Sequence, residues 1–405
     1  MENIIKVAVL GFGGRGKLYS EIIAQREKNC KIVAVCDSKA DKQADAQKKY
    51  GLPSDKIFAK ESDFWACGKI ADVLIIATMD GAHYKECMTA LRLGYDVLLE
   101  KPISPKESEC REIVETAERL HRKIAVCHVL RYTPVYDYIK RVLQSGEIGD
   151  IVTVSQTENV GYWHQAHSFV RGNWRDDKKT CPMILQKCCH DMDVLRWLIG
   201  KPCVSVSSYG SLSYFKSQNA PENAAERCVD CKVDCIYNAV DFYMREQGWF
   251  QFISNGMTDV KEAMRVLPNG RCVFKCDNNV VDHQVVNLLF EEGVTAQLTM
   301  TAFSDKNYRR THIYGTKGEI ETIGEFKIRV CVFGKEERVV DVAQMGFDLS
   351  GHGGGDIALI REFMEYCRSG GEIRSSAKVS LESHIMAFAA EKSRLKNGEV
   401  VKVEV

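Results

Sequence analysis

The chain carries no net charge. Its 55 lysines and arginines balance its 55 aspartates and glutamates, and the isoelectric point lies near 7.1. That balance argues against nucleic acid or an anionic membrane as the main partner. The sequence also lacks a basic start followed by a long apolar run, and it enters a strand pattern at once (MENIIKVAVLGFGG). It reads as having neither a signal peptide nor a spanning helix, and the expectation is a cytoplasmic protein without membrane contact. No internal repeat and no low-complexity tract breaks it up. What it does not lack is cysteine, with 17. Without an export signal these read as free thiols of a reducing compartment.

A chain of 405 residues exceeds one ordinary core, so two domains are expected. The first third alternates strand and helix. Apolar runs at Ile4–Leu10, Lys31–Asp37, Ala71–Thr78, Asp96–Lys101 and "IAVCHV" are separated by helical patterns, which predicts a parallel, doubly wound α/β sheet. Ser104-Pro105-Lys106-Glu107 has the form of a capping box and predicts a helix running to about Arg122.

Gly11-Phe12-Gly13-Gly14-Arg15-Gly16 follows the first strand and opens a helix, and Asp37 ends the second strand. In that context the G-x-G-x-x-G pattern predicts a dinucleotide site. Gly11 allows the tight turn, Gly13 lets backbone approach a pyrophosphate, Gly16 lets helix meet sheet, and Asp37 can accept hydrogen bonds from a ribose diol. Ligands of such sheets bind beyond the carboxyl ends of the strands, on the edge that also carries Thr78, Glu100 and Lys101. Lys101, followed by a proline able to adopt the cis form, is a candidate acid, base or carbonyl-orienting group there.

"GFGGRG", "VCD", "ATMDGAHY", "EKPIS" and "HVLRYTP", in that order, resemble the glucose–fructose oxidoreductase, inositol dehydrogenase and rhizopine-catabolism (Gfo/Idh/MocA) family. The resemblance covers essentially the whole chain. It implies a Rossmann domain at about 1–130 and a C-terminal α/β domain at about 131–405, built on a large, mostly antiparallel open sheet that forms the contact of a homo-oligomer, a dimer or tetramer. It implies NAD as cofactor, with His83 joining the glycine loop, Asp37, Thr78, Glu100 and Lys101 around it, and a small carbohydrate as substrate. Asp37 should disfavour the extra phosphate of NADP.

The second half fits on its own pattern. Strands are predicted at Asp150–Val160, Cys203–Phe215 and Gln284–Phe303, the last turning at Glu292-Gly293, and two more hairpins follow; helices return at Asp356–Arg368 and Leu381–Lys396, and "EVVKVEV" alternates like a final strand. Within "CPMILQKCCHDMDVLRWLIG", Met192, Leu195, Leu198 and Ile199 form an apolar helical face with Asp191 and Arg196 on its solvent side. His190 alone reads as a core histidine. The resemblance places it at the substrate, since the family's dehydrogenases carry an Asp four residues before this His and another three after it. Asp193 matches the second; Gln186, beside Lys187, stands where the first should be. Glutamine cannot relay a proton, so the acid–base network carries over incompletely.

Residues 161–174 gather Tyr162, Trp163, His164, His167, Arg171 and Trp174. Aromatic faces with interspersed donors suit a sugar ring, and Arg171 suits an anionic group; the bland alternative is a loop against the sheet. "SGHGGGD" (350–356) reads equally as a helix entrance or as a pocket wall placing His352. An insertion at about 216–279 carries Cys228-x-x-Cys231-x-x-x-Cys235. With no fourth ligand adjacent, these read as free thiols, and no metal is expected. Three functions fit: an NAD-dependent dehydrogenase of a sugar, sugar derivative or cyclitol; an NAD-dependent glycoside hydrolase working by transient oxidation; and a non-catalytic sugar sensor. Lys101 and His190, as catalytic pair, favour the first.

Overall fold

The computed structural model describes residues 4–404. Its first sheet is parallel and six-stranded, formed by β1 (Ile5–Leu10), β2 (Cys30–Cys36), β3 (Ile57–Phe58), β4 (Val73–Ile76), β5 (Asp96–Leu99) and β6 (Ile124–Val126), in the order β3-β2-β1-β4-β5-β6. Helices cover both faces, so the strands are apolar on both sides; Val7, Ala8, Val9, Leu74 and Ile75 are all fully buried. The order reverses between β1 and β4, which opens a crevice at their carboxyl ends.

Two of the boundaries that differ from the pattern bear on the site. β5 stops at Leu99, so Glu100 and Lys101 lie beyond it on a turn whose Lys101–Pro102 peptide is cis. The next helix spans Glu107–Arg119 with Lys106 as its cap, because Ser104 Oγ is engaged by Glu109 and by the Lys106 amide rather than capping an earlier turn. It ends short of Arg122 where His121 turns left-handed (φ 52°).

The second sheet has nine strands: β7 (Ile151–Gly161), β8 (Cys203–Ser211), β9 (His283–Phe290), β10 (Thr295–Ser304), β11 (Tyr308–Gly315), β12 (Gly318–Thr322), β13 (Lys327–Val332), β14 (Arg338–Asp341) and β15 (Val401–Lys402). Their order is β14-β13-β12-β11-β7-β10-β9-β8-β15. Neighbours joined by short turns are antiparallel, as the hairpin spacing predicts, but β7 and β10 pair parallel at the centre. β15 holds only two residues of the alternating tail, whose last residue, like residues 1–3, lies outside the described chain.

Two late helices tie the sheets together. Gly355–Ser369 returns to the first sheet, where Leu359, Ile360 and Phe363 join the core around Val7 and Val9. Ala377–Leu395 gives Leu381 and Ile385 to the first sheet's other face, and Met386 and Ala390 to the core of the second. Between β8 and β9 an insertion with short helices, Ala239–Arg245, Gln247–Ile253 and Val260–Val266, builds small cores of its own.

Candidate functional site

The glycine loop has the geometry its sequence predicts. Gly11 has φ of 86°, and a Cβ there would lie 2.6 Å from the Ala77 carbonyl oxygen; at Gly16 it would lie 1.9 Å from that of Gly11. A Cβ on Gly13 would meet nothing within 4 Å, so this is where backbone faces outward. Gly13 is also the cap of the Gly14–Arg26 helix and supplies no side-chain acceptor, which leaves first-turn N–H groups available to phosphate. Asp37 accepts from the Phe12 amide at 2.8 Å and the Lys39 amide at 2.9 Å, and so fixes the loop to the end of β2. These features fit a dinucleotide.

Four expected cofactor-site residues, Arg15, Glu100, His83 and Thr78, hold one another and their neighbours in place. The Arg15 guanidinium is spent on Glu100 (Nε to Oε1, 2.8 Å), Asp356 and Tyr19. It ties the first sheet to the Gly355–Ser369 helix. Glu100 is buried and also accepts from Tyr19 at 2.6 Å; burial works to raise its pKa, but Arg15 and Lys101 outweigh that and hold it below the usual range. His83 is fully buried between the Pro102 carbonyl (2.8 Å) and the Thr78 carbonyl (3.3 Å), where it holds the turn. Thr78 itself donates to Glu86.

Lys101 emerges at the mouth of the crevice. Its Nζ donates to the Gln186 carbonyl at 2.8 Å. With its amide turned to suit both neighbours, Gln186 donates to Asp80 (2.8 Å) and accepts from Trp174 Nε1 (2.7 Å). Asp80, from "ATMD", is a site residue that the sequence reading passed over. It is almost fully buried, and burial raises its pKa against the pull of His83 and Lys101. An acid therefore does stand beside the position held by Gln186, supplied by a different element.

His190 opens the Cys189–Ile199 helix and is buried, with no hydrogen-bond partner for Nδ1 among the described residues. Burial pushes its pKa well below the ordinary imidazole range, and Lys101, His128, Arg309 and His352 push the same way. The ring is neutral at neutral pH. His352 stands near His190, with 6.4 Å between ring centroids, and its φ of 39° is left-handed.

The remaining substrate candidates divide. Trp163 stacks on His164 and on Phe242 of the insertion, and Trp249, also from the insertion, meets Trp163, His164 and His167 at 4.9–5.4 Å between ring centroids. Burial lowers the pKa of His164 to about 3 and that of His167 to about 4, so both stay neutral. Trp174 faces Gln186, Lys187 approaches the buried Glu158 at 3.4 Å, and Tyr162 packs against Tyr237. Two further candidates, Arg171 and Asp193, are held by internal partners. Arg171 is buried and donates to the carbonyls of Arg271 and Tyr237, pinning the insertion. Asp193 is fully buried and bound bidentately by Arg131 at 2.6 and 2.7 Å, behind His190. Asp191, expected at the surface, is fully buried and pairs with Arg309, which also binds Glu158; a charge on β11 captures it.

Residues 5–128 match the family described as "Oxidoreductase family, NAD-binding Rossmann fold", and residues 140–403 match its C-terminal alpha/beta domain. The putative oxidoreductase YteT of Bacillus subtilis is 23% identical over 306 residues, 72% of this chain and 71% of that protein. Inositol 2-dehydrogenase of Corynebacterium glutamicum is 27% identical over 51% of this chain, and the match spans 57% of that enzyme's length. Levoglucosan dehydrogenase in complex with NADH and levoglucosan superposes over the full length of both chains with a TM-score of 0.75 at 17% identity, a likeness of fold. Among the described residues no helix is long and apolar enough to cross a membrane. With both halves matched and the glycine loop formed as above, the chain belongs to the Gfo/Idh/MocA oxidoreductase family and carries that family's NAD-binding Rossmann domain.

Proposed function

We propose that this chain is an NAD-dependent dehydrogenase acting on a hydroxyl of a sugar, a sugar derivative or a cyclitol. The observation that carries the reading is the convergence of Lys101 and a neutral, half-unpartnered His190 beside the crevice of the dinucleotide loop, next to an aromatic wall. NAD, when bound, supplies the hydride acceptor. The chain's own residues do the rest. Lys101, held by the Gln186 carbonyl, places an ammonium where a reacting hydroxyl's oxygen gains negative charge, which favours the alkoxide. His190 is neutral and so can accept the hydroxyl proton. Trp249, edge-on to Trp163 and His167, offers an aromatic surface to the C–H face of a ring.

Inositol 2-dehydrogenases among the relatives and levoglucosan dehydrogenase among the structural neighbours support a polyol or sugar substrate. A homo-oligomer formed through the nine-stranded sheet is part of the same reading, supported by Val204, Leu289 and Tyr314, which are exposed on its strands. A screen of aldoses, cyclitols and aryl glycosides, read at once for NADH and for released aglycone, tests it. NADH formed in step with oxidised product is the expected result; aglycone release without net NADH would establish the redox-neutral hydrolase instead.

A further inference from the structure

We propose that the insertion between β8 and β9 is a zinc-binding module whose ligands are Cys228, Cys231, Cys235 and Cys272. The sequence places three thiols within eight residues and leaves the fourth ligand missing. The fold supplies it. An antiparallel bridge pairs Arg227 with Arg271, and the Cys272 amide donates to the Glu226 carbonyl at 2.9 Å. This pairing brings Cys272, remote in sequence, alongside Cys228.

All four cysteines line a single cavity of about 20 Å³, together with groups such as Val233 and Phe274. That volume holds one ion or one water. The wall offers a water few polar partners, whereas four sulfurs are the donor set of a closed structural zinc site. The Arg171 guanidinium, buried at the rim with Nη2 3.4 Å from Cys228 Sγ, offsets part of the negative charge that four thiolates around a divalent ion would carry.

The thiols are not already gathered at ligand distance: among the described residues no three His, Cys, Asp or Glu side chains stand in metal-binding geometry. Cys228 Sγ is turned toward Arg171 and the Arg271 carbonyl. Side-chain rotation of the cysteines draws four sulfurs to about 2.3 Å from one ion. Four S–H bonds then break, four Zn–S bonds form, and four protons leave to solvent, with no change in oxidation state.

The local fold gives such an ion something to do. Segment 212–238 contains only two three-residue turns of helix, and the helices after it are seven residues each. A unit with so little core gains its stability from a staple. This one carries Trp249 to the aromatic wall and places Phe252 3.5 Å from where a Cβ on Gly14 would stand in the dinucleotide loop.

The test is metal analysis of the full-length protein, purified under reducing conditions, loaded with excess zinc and washed with a weak chelator, followed by exchange with cobalt(II). About one zinc per chain is expected, and the cobalt form should show the absorption bands of a tetrahedral thiolate site. Cys231→Ser and Cys272→Ser should lose both signals. Cys276→Ser should keep them, because Cys276 Sγ is held to the Cys272 carbonyl at 3.2 Å and does not line the cavity. If the serine variants fail to fold, the wild-type spectrum and stoichiometry still decide. Wild-type protein that retains less than about a tenth of an equivalent of zinc, or that holds iron with labile sulfide, or that keeps full zinc in Cys272→Ser, overturns the proposal.

Discussion

The Ile103 amide donates to Nε2 of His384, 2.9 Å away, while Nδ1 of the same ring donates to the Ser380 carbonyl at 2.8 Å. One nitrogen accepts and the other donates, so the ring must be neutral to hold both bonds. Ile103 lies two residues beyond Lys101, and His384 lies on the helix shared by the two cores. The turn that presents the lysine is thus fastened to the hinge between the sheets.

This contact makes acid sensitivity predictable. His384 is fully buried and its pKa is lowered to about 3, by burial first and then by His128. The unfolded ring takes a proton near pH 6.5, and the folded one does not. Its contribution to stability is therefore complete above about pH 6.5 and falls by about 1.4 kcal/mol per pH unit as pH drops toward 3. Urea unfolding at pH 7.5 and pH 5 should show this loss in the wild type and a smaller one in His384→Gln, which starts about 1–3 kcal/mol lower. Equal pH slopes would contradict it.

Most of the first sheet is legible from the chain because strands covered on both faces leave unbroken apolar runs, and the glycine loop has steric reasons that local sequence displays. The site is less legible. Asp80 and His384 become functional through partners 106 and 281 positions away, Gln186 and Ile103, and no local pattern announces such pairings. Trp249 lies in an insertion that reads as loop and cysteine until its aromatic neighbours are in place. Asp193 and Arg171 mislead for the same reason: both look available until Arg131 and two carbonyls are found to have taken them.

Arg15 serves two buried carboxylates at once. Its removal leaves the buried carboxylates of Glu100 and Asp356 without this shared cation. Arg15→Met should lower stability by about 3 kcal/mol or more, with a clear fall in Tm. A variant as stable as the wild type would show that the latch is ornamental.

Cofactor choice should follow Asp37. Its carboxylate repels a ribose phosphate, and Ser38-Lys39 offers less compensation than an arginine directly after the acid. Binding titrations of cofactor-stripped protein should favour NAD over NADP by at least about tenfold, about 1.4 kcal/mol. Asp37→Ala should narrow that gap and weaken NAD as well, since the Phe12 and Lys39 amides lose their acceptor.

The aromatic wall predicts a split in kinetics. Trp249 touches three rings of the 161–174 segment. Trp249→Ala should raise KM by about tenfold and leave kcat within a few-fold, the signature of lost uniform binding. A fall in kcat with KM unchanged would move Trp249 out of the substrate wall.

The central claim is that Lys101 and His190 act on the substrate and do not merely shape the edge of the cofactor crevice. The direct measurement is turnover beside NAD affinity in Lys101→Met and His190→Ala, using whichever polyol the screen identifies. Each variant should lose about 10²-fold or more in kcat while binding NAD within a few-fold of the wild type. Full turnover in both variants, or a loss matched by an equal loss of NAD affinity, would contradict the account.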